Sequence, residues 1–191
     1  MTSSRSTKES SSIAGNTRAR RKRRVLGIDP GTATTGYGVV EEDGNQLRAL
    51  VSGVIRTSSD QPTPARLQVI YRELQELASE WQPMEAAVEE LFFSKNVRTA
   101  MSVGQARGVA ILALAEAGLK VAEYTPLAIK QAVTGYGSAD KAQMQEMVKM
   151  LLDLDEIPRP DDAADALAVA VCHLHSSRLK SLSEESSRLT R

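Results

Sequence analysis

A single cysteine, Cys172, excludes an internal disulfide framework and any zinc site built on cysteine alone. It sits in an apolar stretch and reads as a small buried hydrophobe. An excess of charge of one sign is also missing. Lys and Arg number 24 and Asp and Glu number 24, so overall charge does not announce a polyanionic partner. Histidine is confined to His173 and His175, and both read as helix surface. No apolar run approaches the ~18 residues of a membrane span. The N-terminus lacks the hydrophobic core of a signal peptide, which leads to the expectation of a cytoplasmic protein. What remains is ordinary for a globular chain: 41% apolar and 25% charged over 191 residues, enough for one domain with a core.

Charge is uneven along the chain. Residues 1–22 are rich in Ser, Thr and Arg, have no apolar period and read as a disordered basic tail. Arg18, Arg20, Arg21, Lys22, Arg23 and Arg24 cluster before the first apolar run. Such a cluster is either a solubilising tail or a nonspecific phosphate contact. Residues 177–191 are a polar C-terminal tail, expected to be loose. The span 23–176 between them carries the periodicity of a folded domain.

That span opens on Val25-Leu26-Gly27-Ile28-Asp29-Pro30-Gly31. A strand-like run ends in a carboxylate, and Pro and Gly stop it. An acid at the mouth of a buried strand is costly unless something pairs with it. A turn and a second apolar strand with early glycines follow, then a tight polar turn containing Asp43-Gly44. Residues 47–56 read as a third strand. Leu67, Ile70, Tyr71, Leu74, Leu77 and Trp81 recur at helical spacing, and Pro83 closes that helix. Residues 85–93 read as a fourth strand, 99–117 as a long helix with small residues, and 120–124 as a fifth strand. Pro126 opens a short helix. Ser138 reads as the cap of the next one, with Lys141 in its first turn. A cation there opposes the helix dipole, and a nearby anion would account for it.

Carboxylates stand at three further points. Glu89 and Glu90 follow the apolar run of the fourth strand; only one of them shares a face with Asp29, and periodicity does not say which. Asp162 and Asp165 are neighbours on one face of a final apolar helix. Acids favour a helix start, which accounts for Asp161 as a cap and weakens the case for Asp162. Asp165 lies on a helix that is apolar almost all round, which implies burial and a need for a cation. With the fourth strand laid beside the first in a mixed sheet, these acids meet at one edge. Clustered carboxylates repel unless divalent cations neutralise them. All-oxygen donors suit magnesium or manganese. Two such ions support in-line attack of water on a phosphodiester.

The segments GIDPGTATTGYGVV, AVEELFFSKN, GQARGVAI, KQAVTGYGSADK and DDAADALAVA, in this order and spacing, resemble the RuvC family of Holliday junction resolvases over roughly residues 23–174. The resemblance implies an α/β, ribonuclease H-like fold with a mixed five-stranded sheet, three antiparallel strands first, flanked by helices. It implies a homodimeric, magnesium-dependent endonuclease. Such an enzyme resolves four-way DNA junctions by paired symmetric nicks in homologous recombination and DNA repair. Two Mg2+ ions per site are expected, with Mn2+ able to substitute. Carried over by the same match, the metal-binding catalytic acids are Asp29, Glu89, Asp162 and Asp165, which selects Glu89 over Glu90. Phe92 matches the aromatic placed against bases near the junction centre. Lys130 and Lys141 match DNA-contacting positions, and Lys141 also a catalytic one, stabilising charge on the transferring phosphate. The RuvA-RuvB branch-migration complex is the partner the resemblance implies.

Two other readings fit parts of the sequence. A nucleotide-binding protein of the actin and sugar-kinase type also begins with strand, Asp, Gly, Thr and a hairpin, but needs two such domains. A junction-binding scaffold that has lost catalysis would keep the fold, yet all four acids are present here.

Overall fold

Alternation along one central strand sorts the molecule into layers. In the computed structural model, which describes residues 22–90 and 97–189, β1 (Arg23–Asp29) is followed by β2 (Thr34–Asp43) and β3 (Gln46–Arg56). These three pair antiparallel, and Gly44 turns β2 into β3 with φ +66°. The chain continues through α1 (Thr63–Trp81), β4 (Glu85–Glu89), α2 (Val97–Glu116) and β5 (Lys120–Tyr124). It ends in α3 (Pro126–Thr134), α4 (Lys141–Leu151) and α5 (Asp161–Leu189). The sheet order is β3-β2-β1-β4-β5. β4 lies parallel to both β1 and β5, so the sheet is mixed as expected.

Leu26 and Ile28 of β1 face one core, with Ala86 and Val88 of β4, Ile70 and Leu74 of α1, and Ala106, Ala110 and Leu114 of α2. Val25 and Ala87 face the other core, under Leu167, Val171 and Leu174 of α5 with Ile129, Val133 and Val148 of α3 and α4. Truncating a fully buried leucine such as Leu167 to alanine would cost about 2–5 kcal/mol. Of the small residues in the long helix, Ala106, Ala110 and Ala113 are core and inaccessible to solvent, whereas Gly108 is exposed. Cys172 is free and buried, and burial pushes its thiol up to about 11.

Helix α5 lies against the sheet at van der Waals contact because two glycines leave room. A Cβ on Gly27 would stand 2.1 Å from the Ala166 carbonyl oxygen, and one on Gly36 would stand 2.0 Å from that of Asp162. The first turn of α5 is thereby set directly beside the end of β1, where Asp29 pairs with Gly36.

Several expectations are corrected. The cap of α4 is Asp140, not Ser138. The Asp140 carboxylate accepts from the Gln143 backbone N–H at 2.9 Å, and the Gln143 side chain accepts from the Asp140 N–H at 3.0 Å. This reciprocal arrangement needs the partners three residues apart, a spacing that excludes Ser138. The polar segment after Ser176 is not loose: α5 continues through it to Leu189. No Gly or Pro interrupts it, and serine hydroxyls bond back onto carbonyls one turn earlier. The fourth strand ends at Glu89 rather than residue 93, and residues 91–96 lie outside the described residues. So do residues 1–21, which hold most of the expected tail.

His173 is not surface. It is 8% exposed, with Nε2 bonded to Glu85 Oε2 and Nδ1 3.0 Å from the Tyr124 hydroxyl. Arg23 binds the same Glu85 oxygen and the Ser177 hydroxyl. Burial pushes Glu85 up, but Arg23 and His173 outweigh it and hold its carboxyl below the usual range. This network links Arg23 and Glu85, at the starts of β1 and β4, to Tyr124 of β5 and to His173 and Ser177 of α5. Within the basic cluster, Lys22 and Arg24 close on Glu41 at 3.0 and 2.9 Å. With Arg23 on Glu85, all three of Lys22, Arg23 and Arg24 have an internal carboxylate partner.

Candidate active site

Strand alternation answers the question the sequence left open between Glu89 and Glu90. Val25, Gly27 and Asp29 point to the α5 side of β1, and Glu85, Ala87 and Glu89 point to the same side of β4. The parallel register ends at Ile28 opposite Val88, so the next residues, Asp29 and Glu89, are neighbours. Glu90 turns away, and its N–H donates to the Tyr124 carbonyl at 2.8 Å.

Asp29 and Glu89 share a side-chain hydrogen bond. Burial, and then the charges of Asp165 and Asp162, raise Asp29 to about 6. Burial, and then the charges of Asp29 and Asp165, raise Glu89 to about 8. Both groups are thus pushed towards holding a proton, and the hydrogen bond between them needs one. Burial also raises Asp165, while Lys141 partly offsets it. Asp29 thus feels Asp165 and Asp162, Glu89 feels Asp29 and Asp165, and Asp165 feels Asp162, in one electrostatic neighbourhood drawn from β1, β4 and the first turns of α5.

Lys141 supplies the cation that Asp165 requires. Its Nζ stands 3.3 Å from Asp165 and 3.2 Å from Asp161. Burial works against its charge, but Asp165 and Asp161 prevail and raise its pKa. The anion expected near this lysine is therefore present, and it comes from another helix. Asp161 is the first residue of α5 and pairs also with Arg159 at 3.1 Å.

Two clefts flank the acids. One, of about 270 Å³, is lined by Glu89, Asp165, Lys141 and Lys130, with Ile129 and Met144 as its apolar wall. Lys130 lines the same cleft as Glu89 and Asp165. The other, of about 500 Å³, borders Asp162 and is lined by Thr32, Thr34, Arg66 and Ser102. Sequence reasoning missed Arg66, which has the appearance of an ordinary helix-surface charge. Phe92 lies outside the described residues. Among the described residues no three of His, Cys, Asp and Glu form a ready-made metal-binding group.

The chain resembles known proteins over most of its length. The family model described as "Crossover junction endodeoxyribonuclease RuvC" matches residues 25–173. A protein of that description from Chloroflexus aggregans is 60% identical over 154 residues, covering 81% of this chain and 94% of its own. One from Syntrophomonas wolfei is 55% identical over 163 residues, covering 85% and 95%. Among solved structures, Thermus thermophilus RuvC in complex with Holliday junction substrate aligns with a TM-score of 0.79 at 38% identity, covering 83% of this chain and 96% of that one. The fold is accordingly ribonuclease H-like, and among the described residues no helix is long and apolar enough to cross a membrane. The chain belongs to the RuvC family of crossover junction endodeoxyribonucleases.

Proposed function

We propose that this protein is a structure-specific endonuclease that resolves four-way DNA junctions by paired, symmetric nicks during recombination and repair. The observation that carries this is the set of half-buried carboxylates, Asp29, Glu89 and Asp165 with Asp162 beside them, in which burial and the neighbouring acids' charges raise Asp29, Glu89 and Asp165. A group so arranged seeks positive charge, and a chain of this family meets phosphodiesters. We assign Asp29, Glu89, Asp162 and Asp165 as the catalytic, metal-holding acids. The set fits magnesium in kind, being all oxygen and carrying charge that a hard divalent cation relieves. Two such ions, Mg2+ or in its place Mn2+, would supply an acidified water and neutralise the leaving oxygen.

The chain's own residues do the rest. Lys141 exchanges its carboxylate partners for the transferring phosphate and stabilises the charge that builds there. Lys130, in the same cleft, holds the strand by charge. Phe92 is assigned to stacking on junction bases. The nuclease unit is assigned to residues 23–176. We further assign a two-fold homodimer, since a junction needs two matched nicks and an isologous pair supplies two identical sites. Exposed Met101 and Leu112 on α2, beside an apolar groove lined by Leu67, Tyr71 and Val109, support that contact. The RuvA-RuvB branch-migration complex is the corresponding partner, and the cytoplasm the corresponding setting.

A labelled four-way junction, incubated with and without Mg2+, tests the proposal. Symmetric nicks whose products ligate directly are expected only with the ion. Random degradation, or no cutting, would overturn it. ATP-dependent thermal stabilisation without junction binding would instead favour the nucleotide-binding reading.

A further inference from the structure

The cleft beside Asp162 has a chemistry that the four acids do not use. Its walls carry hydroxyls from Thr32, Thr34, Thr99 and Ser102 and one guanidinium, Arg66. A chain of hydrogen bonds fixes that guanidinium in place. Arg66 Nε donates to the Thr57 hydroxyl oxygen at 2.8 Å, and the Thr57 hydroxyl in turn donates to the Thr32 carbonyl. The Thr32 hydroxyl donates to the Ser102 carbonyl at 2.6 Å. The bonds thus run from α1 through the end of β3 and the loop after β1 to α2.

Only Nε of Arg66 is consumed by this chain. Among the described residues Arg66 forms no ion pair, whereas Arg23, Arg24, Arg107 and Arg159 each bind a carboxylate. Its two terminal nitrogens keep the planar fork that matches the oxygens of a phosphate. A half-buried arginine held by a neutral partner, beside a carboxylate it does not bind and among uncharged side chains, is built for a tetrahedral oxyanion.

Position identifies the ligand. The Lys130 and Lys141 cleft opens on one side of the acids, against Glu89 and Asp165. The Arg66 cleft opens on the other, against Asp162. A single strand crossing the acids would meet positive charge before and after the reacting phosphate. We propose that Arg66, oriented by Thr57, binds a neighbouring backbone phosphate of the cleaved strand and so sets the scissile bond over the acids. This rests on the junction-cutting function proposed above.

The test uses the full chain with Arg66→Gln and four-way junctions carrying one methylphosphonate at a time, at each phosphate within a few nucleotides of the cut. The wild-type chain is run in parallel. Arg66→Gln should weaken junction binding about tenfold, as loss of a bidentate charge-assisted contact does. It should lower the slope of log affinity against log salt by about 0.9. At one position the methylphosphonate should cost the wild type about tenfold in affinity and the variant nothing further, because both remove the same contact. Arg66→Lys keeps the charge but loses the fork and the Thr57 bond, and repeats the cycle if the glutamine variant does not fold. If the wild type cuts junctions and every methylphosphonate costs the variants as much as it costs the wild type, Arg66 binds no phosphate. If the wild type neither binds nor cuts junctions, the underlying function fails instead.

Discussion

Glu89 and Asp29 share a hydrogen bond where two parallel strands end, and burial first, then the charges of neighbouring acids, favour a proton on this pair. The arrangement stores unfavourable charge in the place where a divalent cation and a phosphodiester are proposed to meet. It also makes the site measurable without substrate.

Both groups bind a proton more tightly in the folded chain than in the unfolded one, with Asp29 raised from 3.8 to about 6 and Glu89 from 4.5 to about 8. Between the ordinary carboxylate range and pH 8 the folded state therefore holds more protons. Metal-free stability should be highest below that range, fall as pH rises through it, and level off above. Thermal midpoints recorded in chelator across this window should show the decline, and Glu89→Gln should flatten it. A midpoint rising over the same window would contradict the assignment.

Asp29→Asn should reduce junction cutting by at least about a hundredfold, in keeping with loss of a group on which metal-assisted chemistry depends, and leave junction binding within a few fold. A gel-shift titration alongside a cleavage assay separates the two effects. Equal loss of both would point to a structural role.

Lys141→Met should lower cutting by about ten- to a thousandfold while changing stability by roughly 0–1 kcal/mol, because its ammonium is more than half exposed. Cleavage rates under single-turnover conditions and a denaturation curve measure the pair of effects. Freed of its cation, Asp165 should also bind its proton more tightly.

Gly36→Ala tests whether α5 must lie so close. Its new Cβ would meet the Asp162 carbonyl at 2.0 Å, so the first turn of α5 must lift. The expected cost is about 1–3 kcal/mol in stability, with a loss of cutting out of proportion to it because Asp162 moves with the turn. Retention of full activity would show that the position of Asp162 is not critical.

Much of this was legible in the residues, for local reasons. A carboxylate ending an apolar run marks a strand mouth, so Asp29 and the pair at 89 and 90 stood out. Lys141 stood out because a cation at a helix start needs an anion, and Asp161 and Asp165 provide it. The choice between Glu89 and Glu90 was not legible from periodicity, since alternation needs to know which sheet face α5 covers. The pattern of His173 said only that it lay on a helix; its partner Glu85 is far away in sequence, and nothing local announces it. Arg66 was hidden for the same reason, because its place is set by Thr57, Thr32 and Ser102 from three other segments. The polar end of α5 was misjudged because composition reports solvation, whereas helix continuation requires only the absence of a breaker.

Binding of Mn2+ to the full chain, followed by titration calorimetry on the wild type and on Asp29→Asn, Glu89→Gln, Asp162→Asn and Asp165→Asn, tests the central claim most directly. If the four acids serve one metal-bearing site, every substitution should weaken or abolish the same binding event. Unchanged Mn2+ binding across all four variants would contradict it.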